Sequence, residues 1–71
     1  MTTAPKILVI DDEIQIRRLL QLTLEPNGYQ LKLAETGSDG IIMAGSERPE
    51  LIILDLGLPD MDGLTVLNRI R

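Results

Sequence analysis

Short unbroken apolar runs alternate along the chain with stretches whose apolar residues recur every three or four positions. Lys6-Ile7-Leu8-Val9-Ile10, just after Pro5, is a continuous run and predicts a strand covered on both faces. From Ile14 the period changes: Ile16, Leu19, Leu20, Thr23 and Leu24 share one face of a helix. Arg17, Arg18 and Gln21 are then expected on its wet face. Pro26-Asn27-Gly28 stops this helix, because the residue before proline avoids helical geometry and glycine accepts a left-handed turn.

Gln30-Leu31-Lys32-Leu33-Ala34 alternates, as an edge strand with a more polar outer face would. A short helix follows, with Ser38 as its expected N-cap and Gly40 and Gly45 weakening it. Pro49 ends that helix, and Leu51-Ile52-Ile53-Leu54 forms a second continuous apolar run that stops at Asp55. A loop over 57–62 contains Pro59, and Asp62 is placed to cap a last helix carrying Leu64, Leu67 and Ile70. The expected strands are therefore 6–10, 30–34 and 51–55, and the expected helices 14–25, 38–46 and 63–71.

This β-α-β-α-β-α order implies an α/β fold with a parallel sheet. Strand order 2-1-3 follows, as in flavodoxin-like folds. The third strand then lies at an edge although it is as apolar as a central strand, which makes Leu51, Ile52, Ile53 and Leu54 a self-association edge. The last helix reaches Arg71 without a glycine or proline stop. Together these features suggest a truncated α/β domain, of which five such units would need roughly 110 residues.

Composition narrows the chemistry. The 71 residues are 44% hydrophobic and 25% charged, the balance of a folded chain. Tyr29 is the single aromatic residue, so the core must be aliphatic. A chain of this size buries only about 60% of its unfolded surface. There is no cysteine, which excludes disulfides, thiolate zinc sites and a cysteine nucleophile; there is no histidine either. No membrane span or signal peptide is apparent, so a cytoplasmic location is the expectation. The net charge of −4 argues against direct nucleic-acid binding.

Asp11, Asp12, Glu13, Asp55, Asp60 and Asp62 all follow the first or third strand. Ligands of open α/β sheets bind at the carboxyl ends of the strands, beside a topological switch point. Neighbouring strands lie about 4.8 Å apart, so Asp11, Asp12 and Asp55 would crowd one site. Like charges at that range need a cation to neutralise them, and hard oxygen ligands suit Mg²⁺. A backbone carbonyl near Gly57 would add a ligand. The plainer alternative is that Asp11-Asp12-Glu13 only caps a helix and that Asp55 only closes a turn.

ILVIDDE at 7–13 and RPELIILDLGLPDMDG at 48–63 resemble the receiver domain of bacterial two-component response regulators, whose fold is CheY-like. The likeness covers nearly the whole chain. Within the family it is most similar to potassium-transport regulators of the winged-helix transcription-factor class. The resemblance implies that Asp55 is the phospho-acceptor and that Asp11 and Asp12 hold Mg²⁺, Asp12 the more directly. It also implies that Gly57 offers its backbone carbonyl to the metal, and that Pro59 and Gly63 shape the loop. The donor it implies is a phosphohistidine on a sensor histidine kinase.

The family also uses a Ser or Thr after a fourth strand and a Lys after a fifth. Residues 1–71 contain no counterpart of either, nor any output domain. Lys6 and Lys32 lie too far from the site to stand in. The expectation is a partial receiver that accepts phosphate but switches poorly. The alternative is a non-signalling fragment that self-associates as a dimer or oligomer, through the third strand or by exchange of the last helix. A hydrolase of the haloacid-dehalogenase type would need a second Asp two residues after Asp55, where this chain has Gly57.

Overall fold

The structure is a computed structural model and describes residues 4–71. Three strands, β1 (Lys6–Ile10), β2 (Gln30–Ala34) and β3 (Leu51–Leu54), alternate with three helices, α1 (Ile14–Leu24), α2 (Gly37–Glu47) and α3 (Gly63–Ile70). The sheet is parallel with order β2-β1-β3. Ile10 pairs with Ala34 on one side and Leu54 on the other. The residues that follow the three strands therefore share one end of the sheet.

β1 is the centre of the molecule. Leu8, Val9 and Ile10 are fully buried, each such side chain contributing roughly 1.5–3 kcal/mol through removal from water. Its residues alternate between two cores, as strand geometry requires. Leu8 and Ile10 pack with Ala34, Leu58 and Val66 against α2 and α3. Ile7 and Val9 pack with Leu31 against Leu20 and Leu24 of α1. One helix thus covers one face of the sheet and two cover the other.

Several local expectations shift. α1 turns a different line inward: Arg17, expected in water, is 8% exposed, while Leu19 is 59% exposed. The cause is polar. The Arg17 guanidinium donates to the main-chain oxygen of Asp11 at 2.8 Å and to Glu35 Oε1 at 3.2 Å, so its burial leaves it hydrogen-bonded. α1 also ends at Leu24, and a 3-10 turn (Glu25–Asn27) carries the chain to Gly28 at φ 93°.

Thr36, and not Ser38, caps α2, its hydroxyl accepting from the Asp39 N–H at 3.1 Å. β3 stops at Leu54 and is half exposed, unlike the fully buried strand its composition suggests. No strand pairs with its outer edge among the described residues, and Leu51 is 55% exposed.

At the opposite end of the sheet Lys6 donates to the Glu47 carbonyl and carboxylate, and Lys32 lies 3.8 Å from the same carboxylate. Both lysines are engaged away from the acidic end. Among the described residues no helix is long and apolar enough to cross a membrane.

Candidate functional site

The site begins with the ladder. The Asp11 N–H donates to the Ala34 carbonyl at 3.0 Å, and the Asp55 N–H donates to the Ile10 carbonyl at 2.9 Å. These bonds extend the sheet by one residue at β1 and β3 and hold the two aspartates beside each other. Asp12 follows as the chain leaves the sheet. Asp11, Asp12 and Asp55 each bring a carboxylate oxygen to within 4.8 Å of the others. Asp11 and Asp55 are half buried and Asp12 is exposed. The three expected ligands are therefore brought together.

The capping alternative is true in part. Asp11 Oδ1 accepts from the Glu13 N–H at 2.9 Å, although Glu13, the residue at the N-cap of α1, caps nothing with its own side chain. This bond occupies one Asp11 oxygen and leaves the other for a ligand. Asp55 is similar: its Oδ1 accepts from the Gly57 N–H at 3.0 Å. That bond folds the chain back at Gly57 and draws the loop towards the carboxylate.

The donor set suits a small hard cation. Three carboxylate oxygens, with room for water, match the ligands Mg²⁺ takes at about 2.1 Å.

The loop from Asp55 to α3 is fixed at several points. Leu58 is buried in the core beside Leu54 and Val66. Gly63 N–H donates to the Leu56 carbonyl at 3.1 Å. A Cβ on Gly63 would sit 2.8 Å from the Leu56 Cα and 3.1 Å from the Asp55 carbonyl oxygen, so the close approach requires glycine. Pro59 is exposed at the turn. Asp62 caps α3, accepting from the Thr65 N–H at 2.8 Å, and this bond holds its carboxyl below its ordinary range.

Asp60 has a role that periodicity and motif did not reveal. Its two oxygens accept from the Gly37 and Ser38 N–H groups at 2.8 and 2.9 Å, across to the start of α2. These two bonds hold its carboxyl below the ordinary 3.8. Arg17 was missed for a related reason. The Asp60 bonds and the Arg17–Glu35 pair join distant segments, and the Arg17–Asp11 bond ends on a main-chain oxygen, so none leaves a mark in side-chain spacing.

Comparison with known proteins agrees with this geometry. Residues 7–71 match the response regulator receiver domain family. The chain is 49% identical over 65 residues to the transcriptional regulatory protein KdpE of Mycobacterium tuberculosis, covering 92% of this chain and 29% of that protein. It is 46% identical over 66 residues to the alkaline phosphatase synthesis transcriptional regulatory protein PhoP of Bacillus subtilis, covering 93% and 28%. The chain thus spans less than a third of these curated relatives.

Among solved structures, a CheY-like receiver domain protein of Methanospirillum hungatei superposes with a TM-score of 0.90 at 32% identity, covering 93% of this chain and 53% of that one. The response regulator TrrA of Thermotoga maritima, solved in complex with Mg²⁺-BeF, superposes with a TM-score of 0.88 at 40% identity, covering 94% and 58%. A match over nearly every residue, on a β2-β1-β3 sheet with its acidic cluster at the expected end, places this chain in the response regulator receiver domain family.

Proposed function

We propose that residues 1–71 carry the phospho-acceptor site of a receiver domain, with Asp55 as the acceptor. The observation that carries this reading is the meeting of Asp11, Asp12 and Asp55 within 4.8 Å, inside the stretch that matches the receiver family. A carboxylate oxygen of Asp55 attacks phosphorus in line with the departing group. The phosphorus–nitrogen bond to a phosphohistidine breaks, and the imidazole leaves with the electron pair and takes up a proton. Asp11, Asp12, Asp55 and the Gly57 carbonyl are the groups that would hold Mg²⁺. When bound, the ion neutralises charge on the transferring oxygens. Pro59 and Gly63 keep the loop in shape around the acceptor.

The phosphoryl donor is then a sensor histidine kinase, and the longer protein of which the relatives are examples regulates transcription in the cytoplasm. The family's switching residues lie in units that residues 1–71 do not contain, so the proposal gives these residues the acceptor chemistry alone. Incubation with Mg²⁺ and acetyl phosphate tests it. One phosphoryl group should appear on Asp55 in the intact mass, and be absent with a chelator or in Asp55→Asn. No adduct in the folded, Mg²⁺-loaded chain rejects the reading.

A second reading has its own observation: among the described residues β3 has an unpaired apolar edge, with Leu51 55% exposed. Two copies would pair β3 with β3 about a twofold axis, through Leu51, Ile52, Ile53 and Leu54. Light scattering over a concentration series separates the two, since an acceptor needs no partner copy to be a folded monomer.

A further inference from the structure

Both oxygens of Asp60 bind main-chain donors twenty-two and twenty-three positions earlier in the chain. The side chain thereby joins the loop after β3 to the first turn of α2. That turn is fully provided for: Thr36 takes the Asp39 N–H, and Asp60 takes those of Gly37 and Ser38. The next loop residue closes the same joint. A Cβ on Gly37 would meet the Met61 side chain at 2.5 Å and Val66 at 2.9 Å, so Met61 seats directly on the glycine.

Between Asp55 and Asp62 the loop's other anchors are the Asp55–Gly57 bond, the Leu56 carbonyl held by the Gly63 N–H, and the buried Leu58. Gly57 itself is exposed, and beyond its chain neighbours the atom described within 4 Å of the place where its side chain would be is an Asp55 oxygen at 3.8 Å. The position of its carbonyl therefore depends on the anchors either side of it, those on Leu56 and Gly57 and, later in the loop, Leu58 and Asp60. Asp60 is exposed, yet its two charge-assisted bonds to backbone N–H groups fix the direction of the side chain as well as its position.

We propose that Asp60 is a positioning residue for the acceptor site: its grip on Gly37 and Ser38 sets the loop so that the Gly57 carbonyl faces a cation held by Asp11, Asp12 and Asp55. The inference rests on the reading of those three carboxylates as a cation site. It follows that occupancy of the site is felt at the start of α2, through a joint that leaves the sheet untouched.

Titration of the ¹⁵N-labelled chain with MgCl₂, followed by amide shifts, tests this. In the native chain the Gly37, Ser38 and Gly57 amides should move with one common midpoint. Asp60→Ala should weaken Mg²⁺ binding about tenfold, the low end of what outer partners of a metal site contribute, and uncouple Gly37 and Ser38 from the midpoint. Asp60→Asn keeps one acceptor oxygen without the charge, and should fall between the two.

Dispersed Leu8, Val9 and Ile10 amides report that each variant is folded; should Asp60→Ala lose them, Asp60→Asn carries the comparison. Native-like affinity in a folded Asp60→Ala, or equal weakening in both variants with Gly37 and Ser38 unmoved in the native chain, overturns the positioning role alone. A native chain that shows no saturable shift with Mg²⁺ overturns the cation site and this inference together.

Discussion

The Arg17 guanidinium donates to the main-chain oxygen of Asp11 at 2.8 Å, tying α1 to the first residue of the acidic site. Its second partner, Glu35, has a carboxylate side chain 72% exposed. The buried bond should dominate. Arg17→Met leaves the Asp11 carbonyl without this donor and should lower unfolding stability by roughly 1–3 kcal/mol. Glu35→Ala breaks an ion pair already screened by water and should cost about 0.5 kcal/mol or less. Urea unfolding of the two variants checks the ranking, and equal losses would contradict it.

The glycines of α2 and α3 predict opposite outcomes. Gly45 lies inside α2 with open space where a Cβ would be, so Gly45→Ala should stabilise by about 0.5–1 kcal/mol. Gly63→Ala drives a Cβ against the Leu56 backbone and should destabilise by about 1–3 kcal/mol. Thermal melts of the two proteins should therefore move in opposite directions from the parent.

Acid should loosen the loop before neutral pH has any effect. Asp60 and Asp62 have folded-state values held below 3.8 by the N–H groups of Gly37, Ser38 and Thr65. A carboxyl held low in the fold contributes stability that is complete above its unfolded value and is lost as pH falls through the folded one. Stability should therefore be flat in this respect above about pH 5 and decline below 3.8. In Asp60→Asn/Asp62→Asn the acid limb should be shallower; an unchanged limb would show that these groups do not set it.

Mg²⁺ and the acidic cluster should oppose each other in stability. With a chelator present, Asp55→Asn should be as stable as the parent or more so, by about 1 kcal/mol at most, because one of three crowded carboxylates is neutral. With excess Mg²⁺ the order should reverse, since only the parent gains from tight binding. Melts with and without the ion measure both halves.

Leu51→Lys tests the open edge. A charge on an unpaired strand discourages pairing with another copy. Any concentration-dependent mass seen by light scattering should fall in this variant; an unchanged mass would remove β3 as the contact.

The strands were legible because their cue is local: four consecutive apolar residues at 7–10 and at 51–54, ended by Asp11 and Asp55, and polar–apolar alternation over 30–34. The order β2-β1-β3 followed from connection rules, and the acidic cluster followed from that order. What escaped was set by contacts between distant segments. Apolar spacing in α1 marked Ile16 and Leu19, yet both are exposed and the long Arg17 stem lies inward instead, because its charged end finds acceptors at Asp11 and Glu35. Thr36, and not Ser38, caps α2 because the chain turns helical at Gly37, which puts Ser38 inside the first turn, where its N–H is taken by Asp60. Asp60 looked like one more surface carboxylate until its partners were seen.

The unequal pairing of the strands has a mechanical consequence. Asp11 and Asp12 hang from β1, which is laced on both edges, whereas Asp55 hangs from β3, which is laced on one. The acidic cluster therefore has a stiff side and a compliant side. An ion gripping both would act as a rivet across the β1–β3 seam, slowing the fraying of β3 far more than that of β1. The strand that carries Asp55 would be at its firmest with such an ion bound.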